Sequence, residues 1–160
     1  MIQTTIIAED LSYICKKYNL LPKHQFGGRP GRTTSEALHL TEQFIRDTWH
    51  NGDIVLALFL DIQAAFPNMQ KLQLLENMHA CKINKEYCKF MDLILTHRQI
   101  CLKFDNVNSQ PINPLGRCNQ GCPLSMLLYI LYNAPLINIA RPNSRNECII
   151  EFVDDTTLLA

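Results

Sequence analysis

The chain has 160 residues and 15 basic against 15 acidic side chains, so its formal net charge is zero. Hydrophobic residues make up 47% and charged residues 19%, enough apolar material for a core and too little charge for a disordered chain. Balanced charge excludes a polycation that binds nucleic acid by bulk electrostatics. No apolar run reaches the roughly 18 residues of a membrane-spanning helix.

Met1 to Asp10 has no basic start and carries Glu9 and Asp10, which does not suit a secretory signal. A helix is predicted over Ile6 to Tyr18. From Asp10 to Glu36 there is no other acidic residue, yet Lys16, Lys17, Lys23, Arg29 and Arg32 fall there. This window suits phosphates or, equally, a solvated loop. Pro22, Gly27, Gly28, Pro30 and Gly31 break it into turns. Thr33-Thr-Ser-Glu36 is a capping box that opens a second helix; Gly52 supplies its stop.

Ile54 to Leu60 is a continuous apolar run of strand length, as expected for a strand covered on both faces. Helices are predicted over Met69 to Cys81 and Asn84 to His97. In the second, Tyr87, Phe90, Met91, Ile94 and Leu95 form one apolar stripe. Gln99 to Phe104 and Val107 to Ile112, around Asp105-Asn106, predict a hairpin. Pro123 can open a helix at its first turn, and Leu124 to Ile139 is apolar on nearly every side, so that helix should be deeply buried. Cys148 to Val153 and Thr156 to Ala160 predict a terminal hairpin with Asp154-Asp155 as its turn. The expected fold is α+β, a small antiparallel sheet backed by helices.

Asp61 ends the apolar strand, and Asp154 and Asp155 sit at the hairpin tip. If the two elements pair in one sheet, the carboxylates converge. Two ionised carboxylates about 4 Å apart repel by about 4 kcal/mol at an effective dielectric near 20, so such a cluster needs a proton or a cation. Hard oxygen donors favour Mg²⁺, or Mn²⁺ in its place. A bare turn and a bare strand end are the plainer alternative. The seven cysteines are irregularly spaced and suggest neither a disulfide framework nor a zinc site. The five histidines show no metal-binding or nucleophile-pairing pattern.

Four blocks, in order, resemble those of reverse transcriptases, specifically the non-LTR retrotransposon kind. The resemblance covers roughly Leu21 to Ala160. Gln25-Phe-Gly-Gly-Arg-Pro-Gly-Arg-Thr-Thr34 is similar to a fingers block, which implies that Arg29 and Arg32 lie near template or triphosphate. A P-loop fits poorly, because Phe26 and Arg32 stand where glycine and lysine belong. Leu58-Phe-Leu-Asp-Ile-Gln-Ala-Ala-Phe-Pro-Asn68 is similar to the first acidic motif. It implies Asp61 as metal ligand, the Ile62 carbonyl as helper, and Phe66 as the aromatic that crowds a 2′-hydroxyl. Pro67 replaces a common aspartate. Gly116-Arg-Cys-Asn-Gln-Gly-Cys-Pro-Leu-Ser125 resembles the block in which Gln120-Gly121 approach the nascent base pair. Phe152-Val-Asp-Asp155 matches the aromatic-x-Asp-Asp signature, with Asp154 as second metal ligand and Asp155 as support.

The resemblance implies template-directed DNA synthesis, in which a primer 3′-hydroxyl attacks a dNTP with Mg²⁺ or Mn²⁺ as cofactor. It implies an RNA or DNA template with primer and dNTP as partners, and no membrane or zinc. The resemblance implies a fragment of palm plus part of the fingers, with the thumb missing: residues 1–52 an N-terminal helix and fingers-like segment, and residues 53–160 a palm-like segment truncated after the Asp-Asp hairpin. Two alternatives stay open: a truncated, inactive retroelement remnant, and a residual nucleic-acid-binding module.

Overall fold

The computed structural model describes residues 2–113, 118, 121–139 and 146–160. In chain order, α1 (Ile2–Lys17) and α2 (Thr34–His50) precede β1 (Ala57–Leu60). Then come α3 (Ala65–Asn68), α4 (Lys71–Ala80) and α5 (Lys85–Thr96). A hairpin of β2 (Lys103–Phe104) and β3 (Val107–Asn108) leads to α6 (Pro123–Ile137), β4 (Cys148–Phe152) and β5 (Asp155–Leu159). The capping box at Thr33 forms in full, with both the Thr33 and Glu36 side chains bonded to backbone. Asn84 caps α5 through the Glu86 N–H.

The main sheet has the order β1-β5-β4, antiparallel throughout. Pairing partners share a face, so the alternation along β4 sorts its two sides. Cys148, Ile150 and Leu159 pack with Phe26 against Ala37, Leu40 and Phe44 of α2. On the other side Glu151 meets Asn133 of α6. The strand covered on both faces is therefore β4, where Cys148 to Glu151 are all buried.

Here the structure corrects the reading of Ile54 to Leu60. Only Ala57–Leu60 forms a strand, and all four of its residues are exposed. Phe59 is 73% exposed and Leu56 72%. An apolar run implies covering elements, but α2 and α6 lie over β4, two strands away, so β1 is left as an apolar sheet edge. Such edges promote self-association. Replacing Phe59 by Lys should leave the helical content unchanged and reduce self-association several-fold by sedimentation; an unchanged association constant would show that this edge does not drive it.

The larger core lies between α1, α4, α5 and α6, where Leu11, Leu74, Met78, Met91, Leu95, Ile130 and Leu131 are almost fully buried. The expected α5 stripe is in place: Met91 and Leu95 are buried, while Tyr87 and Phe90 pack on its margin. Helix α6 is buried along most of its length, as its composition requires. Pro135 lies inside it and cannot donate to the carbonyl of Leu131 four residues back. A side chain replaces that donor. Asn77 of α4 donates through Nδ2 to the carbonyls of Leu131 (3.4 Å) and Tyr132 (2.7 Å). Gln73 in turn donates to Asn77 Oδ1 and fixes the amide. No helix among the described residues is long and apolar enough to cross a membrane.

Candidate active site

The terminal hairpin forms one residue earlier than expected. Phe152 pairs with Asp155, so the two turn residues are Val153 and Asp154, and Asp155 begins β5. Val153 has φ 65°, in the left-handed region where β-branched residues are rarely found. Its side chain is nevertheless buried, against Ala65 and Tyr129. Packing thus holds a strained turn that Asp-Asp alone would not have needed, and strain of this kind tends to gather at functional sites. The shift places Asp154 at the tip and half-buried, with Asp155 exposed.

Leu60 pairs with Thr156, so Asp61 follows at the strand level of Asp155. The topology therefore brings Asp61, Asp154 and Asp155 to one end of the sheet. Asp61 itself is exposed. Among the described residues no three or more His, Cys, Asp or Glu side chains are disposed to hold a metal ion. The donor chemistry suits a hard divalent cation, with two carboxylates from neighbouring strands; the side chains are not gathered as a closed cage.

What joins the blocks beneath these carboxylates is an aromatic cluster. Ile62 and Phe66, from the segment after β1, meet Val153 and Phe152 of the hairpin around Tyr129 of α6. The Phe66 and Tyr129 rings lie 5.1 Å apart and tilted, and Tyr132 follows at 6.1 Å. Burial pushes the Tyr129 phenol up to about 12, and the negative charges of Asp154 and Glu151 add to this. The Cys118 N–H donates to the Phe66 carbonyl at 3.4 Å. Gly121, the residue before the Cys122 cap of α6, has φ 83° and open space around it, so glycine there serves backbone conformation. Gln120 lies outside the described residues, as do Gly116, Arg117 and Asn119.

The glycine-rich loop packs directly on the hairpin. A Cβ on Gly27 would stand 2.5 Å from the Val153 nitrogen and 2.9 Å from the Phe152 carbonyl carbon, so this glycine is required by close approach. Arg29 turns back on its own loop, donating to the carbonyls of Pro22 (2.6 Å) and Gln25 (3.1 Å). Burial, then the neighbouring Arg32, lowers its pKa from the ordinary arginine value. Arg32 lies over the Phe26 ring at 5.2 Å. A cleft of about 260 Å³ between this loop and α1 is lined by Lys16, Arg29 and Arg32, a basic surface consistent with an anionic ligand.

Sequence reasoning missed a fully buried carboxyl group. Glu151 is 0% exposed. It accepts from Gln25 Nε2 (3.2 Å), Asn133 Nδ2 (2.9 Å) and Thr156 Oγ1 (3.5 Å). Burial raises its carboxyl from 4.5 to about 7, against the lowering effect of Asn133 and Thr156. The signal was present: one charged residue stands inside the otherwise apolar run Cys148 to Val153.

Known proteins resemble this chain in sequence and in fold. A family profile described as "Reverse transcriptase (RNA-dependent DNA polymerase)" matches residues 2–160. The chain is 28% identical over 159 residues to a protein named probable RNA-directed DNA polymerase from transposon BS of Drosophila melanogaster; the match covers 96% of this chain and 17% of that protein. It is 29% identical over 128 residues to the probable RNA-directed DNA polymerase from transposon X-element of the same fly, covering 80% of this chain and 14% of the relative. The chain thus spans about a sixth of the length of these relatives. Among solved structures, telomerase from Candida albicans, in complex with a fragment of telomeric RNA, superposes with a TM-score of 0.69 at 10% identity. That match covers 98% of this chain and 30% of the telomerase. An apo telomerase from Candida tropicalis, truncated from its C-terminal domain, gives 0.66 at 12% identity, covering 96% and 33%. At such identities the likeness is one of fold.

Proposed function

Since the chain belongs to the reverse transcriptase family, we propose that it is the fingers and palm portion of a retrotransposon RNA-directed DNA polymerase and supports the addition of dNTPs to a primer 3′-hydroxyl. The observation that carries this reading is the cluster around Tyr129, where Ile62 and Phe66 meet the hairpin that bears Asp154.

In this reading Asp61 and Asp154 would hold Mg²⁺, with the Ile62 carbonyl beside them. The bound ions would supply charge neutralisation at the triphosphate and raise the acidity of the primer hydroxyl. The chain's own residues do the rest. Phe66, fixed against Tyr129, presents the aromatic surface beside the sugar. Gly121 lets backbone approach the nascent pair. Arg29 and Arg32 set positive charge near template or triphosphate, with Arg29 also bracing its loop. Asp155 supports Asp154 from the start of β5. Positioning and electrostatics of this kind suffice for phosphoryl transfer.

Primer extension tests the proposal. The 160-residue chain, with a primed RNA template, dNTPs and Mg²⁺, should extend the primer, and chelation by EDTA should stop it. No extension on primed RNA or primed DNA, with either Mg²⁺ or Mn²⁺, would overturn catalysis by this chain. The basic cleft at Lys16, Arg29 and Arg32 favours a second reading in that event, nucleic-acid binding that weakens as salt rises.

A further inference from the structure

Among the described residues, Glu151 is the one buried carboxylate, and the polymerase reading does not use it. It stands where four parts of the fold meet. Its backbone belongs to β4, three residues before Asp154. Its side chain receives Asn133 of α6, Thr156 of β5 and Gln25 of the glycine-rich loop. Backbone bonds reinforce the same junction. The Phe26 N–H donates to the Glu151 carbonyl at 2.8 Å, and the Glu151 N–H donates to the His24 carbonyl at 3.0 Å. Gln25 and Glu151 thus form a parallel bridge on the outer edge of β4.

The orientation of each amide is determined. The Gly27 N–H donates to Gln25 Oε1 at 3.0 Å, so the Gln25 amide must turn its NH₂ toward Glu151. Asn133 also turns its NH₂ inward, at the other carboxylate oxygen. Two amide donors and a hydroxyl converge on a side chain that must accept from all of them. A carboxylate does this, and a carboxylic acid still can, because its hydroxyl oxygen keeps a lone pair. A glutamine cannot, since its NH₂ would face the NH₂ of Gln25 or of Asn133.

We propose that Glu151 is a positioning residue, a latch whose carboxylate, gripped by Gln25 and Asn133, holds the loop from His24 to Arg32 at a fixed place on β4, the strand that leads into the turn bearing Asp154. Gly27 is the point of closest approach, pressed against Phe152 and Val153. The latch therefore sets the spacing between the loop arginines and the acidic tip. What it positions rests on the polymerase reading; the latch itself does not, and its test needs no catalysis.

Amide hydrogen exchange on the full chain reads it directly. Glu151→Gln should speed exchange at Phe26, Gly27 and Glu151 about tenfold or more, with α4 amides (Lys71–Ala80) unchanged. The double variant Glu151→Gln/Asn133→Asp reverses donor and acceptor across the 2.9 Å contact and should bring those amides back to within about threefold of the parent. Should Glu151→Gln fail to fold, Asn133→Ala removes one donor only and should loosen the same amides to a smaller degree. The proposal is overturned if those amides do not change, if α4 loosens equally, or if the double variant shows no recovery. A chain that extends no primer but shows this pattern loses the polymerase reading and keeps the latch.

Discussion

Asp154→Asn should lower primer extension by about a hundredfold or more, the scale on which a single group that stabilises charge in a transition state is felt. The substitution keeps the side-chain volume and removes the charge, and asparagine is readily accommodated in a hairpin turn. The fold around it should stand, because the turn is held by the packing of Val153 against Ala65 and Tyr129. The loss should therefore come without a change in melting temperature and with weaker Mn²⁺ binding by the isolated chain. Asp61→Asn should behave alike. Asp155→Asn should lose less, since in the proposed reading Asp155 supports Asp154 from the start of β5 and does not itself hold the metal. An Asp154→Asn chain that extends primers within about threefold of the parent rate would remove Asp154 from the charge-stabilising role.

The helices were legible because their signals are local. The Thr33 capping box and the α5 stripe each specify a few neighbouring residues, and each is found in the structure. The pairing of the apolar strand with the terminal hairpin entered only as the condition on which the carboxylates would converge; the structure meets it through β1 and β5. What escaped was non-local. Whether an apolar strand is covered depends on where other elements settle, so Ala57–Leu60 was expected to be buried and is exposed. The turn slipped by one residue because the burial of Val153 in the aromatic cluster outweighs the turn preference of Asp-Asp. Gln25, Asn133 and Glu151 are separated by 126 and 18 positions along the chain, and no periodicity links them. A lone glutamate amid apolar residues announced a buried carboxylate without naming its partners.

That carboxylate also makes stability depend on pH, in the sense opposite to a carboxylate paired with a cation. Glu151 is held up at about 7 in the folded chain, against 4.5 as its ordinary value, because burial disfavours its charge. Between these values the folded chain holds a proton that the unfolded chain has released, so stability falls as pH rises. The contribution is fully present below pH 4.5 and is lost as pH passes about 7; its size is on the order of 3 kcal/mol. His24 works against it. Burial, then Lys23, lowers the His24 pKa below 6.5, so its contribution is present above that value and is lost in acid. The Tyr129 phenol, pushed up to about 12, stays neutral across this range. A comparison of the parent chain with Glu151→Gln cancels His24, which both contain. In urea unfolding the parent should hold its greatest advantage at about pH 4 and lose on the order of 3 kcal/mol of it by about pH 8. A difference between the two that stays level across that range would mean that Glu151 keeps an ordinary carboxyl pKa, and that its three donors offset the cost of burying its charge.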